Sequence, residues 1–395
     1  MKKLYYLMTL ASLSFSLSCG NSVSLDPTLD ENLPWYGNNR QTLQNFLDNS
    51  AKGQVAVFDW DNTVFYRDIG DATMYYLIAN NKIIQPANKD WKNTSPLLTD
   101  EANTALKAAC DAQADAGKPI TSDQSSTASK ACADQIVTIY NTGLVDGTDV
   151  AAFDEDKFDG DLMEPVYAWT VQLEAGYSPD EIREFARAAF DLNASNKLGA
   201  KQKIGNTEQA ADARVYAQMA DLIEALQANG FDVWISSASS QYIVDAISEN
   251  VGVNPDHVIG VRPVVTDGKI TPKFRGCGTE ADGNTSIINY RFGKRCWLNK
   301  ELFGVADGEA QLTTPGKQAF AAGDSNTDIP FTKDATGLRI AINRNKGEIM
   351  CNAYANKDGK WIVNPRFINP LPKKESGYSC GDYGLPDQQD TVFGQ

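Results

Sequence analysis

The stretch VAVFDWDNTVF, residues 55–65, joins a short apolar run directly to two aspartates. The β-branched and aromatic residues over 54–59 predict a buried strand that ends at Asp59, and Asp61 follows two residues later. A carboxylate at the end of a buried strand costs free energy unless it has a partner or a ligand. We therefore expect Asp59 and Asp61 to have a chemical function.

The same kind of apolar run recurs along the chain and alternates with helical patterns. The predicted strands are 54–59, 231–236, 318–324 and 338–343. Helices are predicted at 207–230 and 240–252, and Asp267-Gly268 predicts a hairpin over 262–274. Strands that alternate with helices predict an α/β fold with a doubly wound parallel sheet.

The long segment between the first two strands predicts a second, inserted domain. Its helical patterns lie at 99–115, 127–141 and 178–193. A patterned segment of this length is too long for a simple crossover. The predicted organisation is an α/β core over 40–65 and 220–365, a helical cap over 66–219 and a C-terminal tail over 366–395.

The N-terminal segment resembles an export signal. Two lysines precede the apolar stretch 4–17, and small residues then lead to Cys19. Cys19 after SLS favours a bacterial lipoprotein, with simple secretion as the alternative. The polar residues 20–39 would then be a tether, and the membrane would be contacted only through the lipid on Cys19. An exported protein would be periplasmic or attached to the outer membrane.

The net charge and the cysteines indicate which binding partners, disulfides and metals to expect. The formal net charge of −15 makes nucleic acid an unlikely partner, since phosphate binding needs clustered Lys and Arg. Six cysteines besides Cys19 allow fifteen pairings, and export favours disulfides. Neighbours in sequence suggest Cys110–Cys132, Cys277–Cys296 and Cys351–Cys380. The chain has one histidine and no CxxC pair, which argues against zinc.

A second pair of aspartates follows the third predicted strand, in GDSNTD at 323–328. Ligands of doubly wound sheets bind at the carboxyl ends of the strands, so Asp324 and Asp328 should approach Asp59. Carboxylates gathered at one edge repel each other unless a hard cation binds them. Mg²⁺ prefers such oxygen ligands, and the sequence therefore predicts a magnesium site.

FDWDNT, ISSAS, a following lysine and GDSNTD together resemble the four ordered motifs of the haloacid-dehalogenase-like (HAD) phosphatases. The resemblance implies that Asp59 is the nucleophile and forms an aspartyl-phosphate. It implies that Asp61 is the general acid and base, and that its backbone carbonyl faces the metal. Asp324 and Asp328 would be the other metal ligands.

Three further roles are expected at the site. Ser237, rather than Ser236, would hydrogen-bond the transferring phosphoryl group, and Thr63 would lie near the substrate. The lysine of the third motif has three candidates: Lys294, Lys300 and Lys317. Gly-Lys often opens a helix at this place in the family, which favours Lys294. The inserted helical segment resembles the cap that closes over such sites.

Export, the large cap and the motif spellings are similar to bacterial phosphorylcholine phosphatases. A choline group would need an aromatic cage. Trp60 is the favoured aromatic, and the others considered are Tyr66, Tyr75, Tyr76, Tyr167, Trp169 and Tyr177. The alternatives are phosphoethanolamine, phosphoserine or broad specificity, phosphoryl transfer to another acceptor, and a lipoprotein that binds a phosphorylated ligand without hydrolysing it. The sequence does not predict an oligomeric state.

Overall fold

The computed structural model describes residues 25–283, 286–372, 374 and 376–380, together with the backbone of 391–392. The predicted export signal, Cys19 and the first residues of the predicted tether lie outside this part of the chain. Among the residues that are described, none of the helices combines the length and the apolar character needed to cross a bilayer.

The strands are short and several pair only locally. In chain order they are β1 Val55–Phe58, β2 Phe65–Tyr66, β3 Lys201–Ile204, β4 Thr207–Ala210, β5 Arg214–Val215, β6 Asp232–Ser240, β7 Val258–Val261, β8 Pro263–Thr266, β9 Lys269–Phe274, β10 Phe320–Gly323, β11 Leu338–Asn343, β12 Trp361–Pro365, β13 Tyr378–Ser379 and β14 Thr391–Val392.

In chain order the helices are α1 Asn39–Asn49, α2 Ile69–Ala79, α3 Asp100–Cys110, α4 Thr127–Thr142, α5 Pro165–Gln172, α6 Pro179–Ser195, α7 Ala217–Ala228, α8 Gln241–Ser248, α9 Phe292–Glu301, α10 Ala310–Thr313, α11 Ile329–Thr332 and α12 Gly347–Ala355. Side chains cap the N-termini of five of the helices, α2 to α6. At the start of α6, Ser178 and Glu181 form a reciprocal capping box. Gly143, with φ 69°, ends α4 in the left-handed conformation.

Six strands form one parallel sheet in the order β12-β11-β10-β1-β6-β7. The doubly wound parallel sheet expected from the sequence is confirmed. In the central strand, Phe58 pairs with Ala322 of β10 on one side and Ile235 of β6 on the other. The residue after Phe58 therefore lies between the end of β10 and the middle of β6.

The described residues form four buried apolar clusters, and two of them lie next to the ends of the inserted segment. One lies around the sheet and includes Phe58, Phe320 and Ile235. The other lies among α2 to α5 and includes Trp91 and Trp169. Helix α6 belongs by sequence to the predicted cap, but Ile182 and Ala186 from this helix pack in the sheet core. The inserted segment is thus joined to the α/β core by apolar packing as well as by the chain.

The chain leaves and re-enters the sheet domain through two paired strands. Strand β2 follows the first motif and pairs antiparallel with β5, which precedes α7. This pairing holds the two connections of the inserted segment together, close to the end of β1.

One predicted helix is wrong over its first part. The segment 207–230 begins with strands β4 and β5, and only 217–228 is helical. Gly205 and Asn206 form the turn between β3 and β4, and the Asn206 backbone N–H donates to Asp134 Oδ1 at 2.7 Å. This contact with α4 is tertiary, so the local sequence pattern could not indicate it.

The hairpin of β8 and β9 confirms the prediction for 262–274. All three predicted disulfides are present: Cys110–Cys132, Cys277–Cys296 and Cys351–Cys380. Residues 25–38, most of the predicted tether, differ from an extended linker. Leu29 is buried in the sheet core, and its backbone N–H donates to Gln44 Oε1 at 2.9 Å.

Candidate active site

The predicted site residues meet at the carboxyl edge of the parallel sheet. Asp59 directly follows β1, Ser237 lies within β6, and Asp324 directly follows β10. Because β1 lies between β6 and β10, the three side chains enter one cleft. Asp328 lies in the short turn after Asp324, and α9 brings Lys294 to the same place.

Asp59 is held by a lysine and a hydroxyl. Lys294 Nζ donates to Asp59 Oδ1 at 2.6 Å, and Thr63 Oγ1 donates to Asp59 Oδ2 at 2.7 Å. Lys294 also donates to Asp328 Oδ1 at 2.7 Å, and its side chain is only 1% exposed. Burial opposes the charge on Lys294, but Asp328 and Asp59 outweigh burial and raise its pKa. The lysine is thus a fixed cation between two carboxylates.

The other two candidate lysines lie elsewhere. Lys300, on the same helix, donates to the Gly276 carbonyl at 3.0 Å. Lys317 is exposed to solvent. Of the three lysines, only Lys294 contacts the nucleophile candidate, so the geometry favours Lys294 for the third motif.

Three carboxylates gather closely enough to share a cation. Asp59, Asp324 and Asp328 each place an oxygen within 4.8 Å of the others, and all three are buried. Burial and the Asp328 charge raise the pKa of Asp59, and Lys294 opposes them. Hard carboxylate oxygens in this number suit Mg²⁺, so the donor set fits the predicted ion. The Asp61 side chain is not in this cluster.

Asp61 has a different environment from Asp59. Its Oδ1 accepts the backbone N–H of Ile69 at 2.7 Å, and its Oδ2 accepts the Ser239 hydroxyl at 2.8 Å. Burial raises the pKa of Asp61 to about 6, although these hydrogen bonds lower it. A carboxyl group with this pKa can both give and take a proton near neutral pH.

Ser237 lies beside Asp61 in the cleft. Its hydroxyl donates to Asp61 Oδ2 at 3.3 Å. The neighbouring Ser236 instead contacts Asn289 Oδ1 at 3.4 Å inside the core. The placement of these two serines agrees with the choice of Ser237 over Ser236.

Two predicted substrate-binding residues do not line the cleft. Trp60 is fully buried and stacks on Phe65, with ring centroids 5.9 Å apart. Trp60 therefore packs in the sheet core, whereas Asp59 and Asp61 on either side of it line the cleft. Thr63 is also fully buried, and it contacts Asp59 and Asp324 rather than open space.

The cleft continues into a wider chamber of about 560 Å³ beside the inserted helices. The residues that line both parts are Asn62, Asp68, Tyr140, Tyr167 and Arg344. We call the part at Asp59 the near chamber and the wider part the distal chamber. A substrate could therefore place one end at Asp59 and the other among the cap residues.

The sequence reasoning missed the acidic residues of the distal chamber. Asp68 caps α2 by accepting the Asp71 backbone N–H at 3.0 Å, and Asp71 Oδ1 accepts the Tyr140 hydroxyl. Burial raises the pKa of Asp68, and the nearby charges of Asp61 and Asp71 raise it further. Asp68 and Asp71 lie three residues apart at the start of a helix, directly after the first motif. This spacing puts both carboxylates on one face of the helix and could have indicated an acidic site.

Comparison with known proteins agrees with the fold. A family model described as haloacid dehalogenase-like hydrolase matches residues 162–333. This span contains Ser237, Lys294 and both later aspartates, whereas Asp59 lies before it. The six-stranded sheet and this match give the core the Rossmann-like α/β fold of that family.

Two curated relatives are named as phosphatases. A probable phosphatase of Mycobacterium tuberculosis is 31% identical over 188 residues, which is 47% of this chain and 58% of that protein. The chain thus spans little more than half the length of that relative. A phosphoserine phosphatase of Halobacterium salinarum is 27% identical over 207 residues, covering 50% of this chain and 87% of that protein. These names describe the activity of those two proteins, and the matching family model is that of a hydrolase.

One solved structure matches nearly the whole molecule. A conserved protein of unknown function from Anaerococcus prevotii superposes with a TM-score of 0.63 at 19% identity. The match covers 86% of this chain and 94% of that one, so it includes the inserted helices. At this identity the likeness concerns the fold alone.

Proposed function

We propose that the protein is a metal-dependent phosphomonoesterase that works through an aspartyl-phosphate on Asp59. The main support for this proposal is that Asp59 and Asp61 lie in one cleft but have different hydrogen-bond partners. Asp59 is paired with Lys294, whereas Asp61 is bound by a hydroxyl and a backbone N–H. Such a difference separates a nucleophile from a proton donor.

In the first step an Asp59 oxygen attacks the phosphorus atom, and the bond from phosphorus to the ester oxygen breaks. Asp61 gives its proton to the departing oxygen. In the second step Asp61 takes a proton from water, which attacks the phosphorus and releases inorganic phosphate and free Asp59. Lys294 and Thr63 hold Asp59 in place throughout.

Asp59, Asp324 and Asp328 would hold Mg²⁺, with the Asp61 carbonyl as the further predicted ligand. A bound Mg²⁺ supplies positive charge that reduces the repulsion between the Asp59 carboxylate and a phosphate dianion. Ser237 lines the near chamber and would turn its hydroxyl from Asp61 to donate a hydrogen bond to the phosphoryl group.

For the substrate we propose a small phosphomonoester with a cationic end, such as phosphorylcholine or phosphoethanolamine. The distal chamber is lined by Asp68 and Asp71 and by the rings of Tyr75, Tyr140 and Tyr167. Carboxylates and tyrosine faces attract ammonium groups in a desolvated site. Tyr75 and Tyr167 are among the aromatics considered from the sequence, and with Tyr140 they would form the cage in place of Trp60.

Phosphoserine is the second candidate. The Halobacterium relative is named for it. Arg67 and Arg366 also line the distal chamber and could bind a substrate carboxylate. Arg67 is already paired with Asp212 at 2.9 Å, which makes it less available for a ligand.

The test is release of inorganic phosphate from phosphorylcholine, phosphoethanolamine, phosphoserine and glycerol phosphate, with Mg²⁺ or with EDTA. We expect turnover that needs the metal and favours the cationic esters. A preference for glycerol phosphate would contradict the cationic assignment. No turnover of any ester would favour a protein that binds a phosphorylated ligand without hydrolysing it, and calorimetry with the same esters would then measure binding.

We also propose that the protein is exported and anchored by a lipid on Cys19. The signal-like N-terminus supports this, and the three disulfides are typical of an oxidising compartment. Mass spectrometry of the mature N-terminus tests the anchor. A terminus at Cys19 with the added mass of acyl chains is expected, and an unmodified terminus beyond Cys19 would contradict it.

A further inference from the structure

Arg344 is a second cation at the acidic cluster, and no sequence motif pointed to it. It directly follows β11, the parallel neighbour of the strand that delivers Asp324. Its Nη1 donates to Asp324 Oδ2 at 2.6 Å, and the side chain lines both chambers. Arg344 thus contacts the cluster at Asp324, whereas Lys294 contacts it at Asp59 and Asp328.

The two carboxylate oxygens of Asp324 have different partners. Oδ2 is bound by the guanidinium, whereas Oδ1 lies 3.2 Å from the Thr63 hydroxyl, on the side of Asp59. A cation shared with Asp59 would therefore contact Asp324 through Oδ1 alone. To use both oxygens, the ion would have to break the charge-assisted bond to Arg344.

Asp328 is restrained in a comparable way. Its Oδ2 accepts the backbone N–H groups of Asp324 and Ser325 at 2.9 and 3.0 Å. Those donors belong to the backbone of the motif itself. Arg344 differs because it is a side chain on a neighbouring strand, so substitution can remove its restraint without changing a cluster carboxylate.

Single-oxygen ligation matters for the choice of metal ion. Mg²⁺ needs octahedral geometry with oxygens at about 2.0–2.1 Å, whereas Ca²⁺ takes roughly six to eight oxygens and readily accepts both oxygens of one carboxylate. A site in which Asp324 offers the cation only Oδ1 suits Mg²⁺ better than Ca²⁺.

We propose that Arg344 is a positioning residue that makes the site selective for Mg²⁺ over Ca²⁺, by holding Asp324 as a ligand through one oxygen. This inference rests on the proposed function only in assuming that the acidic cluster binds a divalent cation. It does not depend on which phosphate ester is the substrate.

The test is calorimetric titration of the folded protein with Mg²⁺ and with Ca²⁺, without substrate. In Arg344→Gln, we expect the ratio of the Ca²⁺ to the Mg²⁺ dissociation constant to fall by about tenfold, a usual size for losing a residue that orients a metal ligand. The lost positive charge should strengthen the binding of both ions by the same factor. The ratio of the two dissociation constants therefore depends only on whether Asp324 binds the ion through one oxygen or two. Lys346→Gln is the matched control: it removes one charge from an exposed residue two positions away, and its ratio should equal that of the wild type.

An unchanged ratio in Arg344→Gln, with Mg²⁺ still bound, would overturn the inference and leave the proposed function intact. If the wild type binds neither ion, the metal site itself fails, and the inference fails with it. Arg344→Met is a second variant with the same expectation, for use if Arg344→Gln does not fold. Circular dichroism before each titration establishes that the variant is folded.

Discussion

Glu174, in the turn after α5, is buried without a compensating cation and should make stability depend on pH. It is fully buried, and its Oε2 accepts the Ser240 hydroxyl at 2.9 Å. In the part of the chain that the structure describes, its Oε1 has no hydrogen-bond partner. Burial raises the pKa of Glu174 from 4.5 to about 8, so the folded protein keeps this carboxyl protonated at neutral pH.

Whether the free energy of unfolding rises or falls with pH depends on which state, folded or unfolded, keeps the Glu174 proton. Between pH 4.5 and about 8 the unfolded chain has lost the Glu174 proton and the folded protein retains it. The free energy of unfolding therefore falls as pH rises through this window and levels off above the folded pKa. At about 1.4 kcal/mol per pKa unit, the complete loss is on the order of 5 kcal/mol.

We predict that Glu174→Gln removes this loss, because the amide is uncharged at every pH. At about pH 5 the variant and the wild type should unfold at similar urea concentrations. At about pH 9 the variant should be more stable by roughly 2–5 kcal/mol. The assay is urea unfolding followed by tryptophan fluorescence with the disulfides intact.

The exposed Glu184 of α6 provides the matched control. Glu184→Gln makes the same chemical change at the surface and should follow the wild type at both pH values. A stability difference between Glu174→Gln and the wild type that stays constant with pH would refute the reasoning. It would mean that Glu174 is already ionised in the folded protein.

Three further predictions concern the cleft. Lys294→Met should lower kcat by about a hundredfold or more, because Asp59 loses its fixed cation, whereas Lys300→Met should stay near wild type in a steady-state assay. Ser239→Ala removes a hydrogen bond that favours the charged form of Asp61. The pKa of Asp61 should therefore rise, and the pH–rate profile should move upward by about one pH unit. An unmoved profile would contradict the role of Asp61. Asp71→Asn should raise KM for phosphorylcholine by about tenfold or more and leave KM for glycerol phosphate unchanged; equal effects on both esters would contradict the cationic chamber.

The sequence allowed part of the near chamber to be predicted because Asp59 and Asp324 lie directly after strands. A strand ending in Asp59 and another ending in Asp324 must meet at one edge of a parallel sheet. Lys294 could be favoured only through the family resemblance, in which Gly-Lys often opens a helix at this place. The long segment between Lys294 and Asp324 is accommodated by α10, where Asn299 Nδ2 donates to the Gln311 carbonyl at 2.9 Å.

The distal chamber could not be predicted in the same way. Tyr140 lies on α4 and Tyr167 on α5, and only the packing of the inserted helices brings them beside Asp68. The preference for Trp60 was wrong because a residue next to Asp59 in sequence need not point its side chain into the same cleft.

The central claim is that Asp59 becomes phosphorylated. The most direct measurement is mass spectrometry of the protein quenched in acid during turnover of its best substrate, using Asp61→Asn to slow hydrolysis of the intermediate. We predict one added phosphoryl group on the peptide that contains Asp59, and none in the Asp59→Asn, Asp61→Asn double variant. A phosphoryl group on another residue, or turnover by Asp59→Asn at the wild-type rate, would contradict the account.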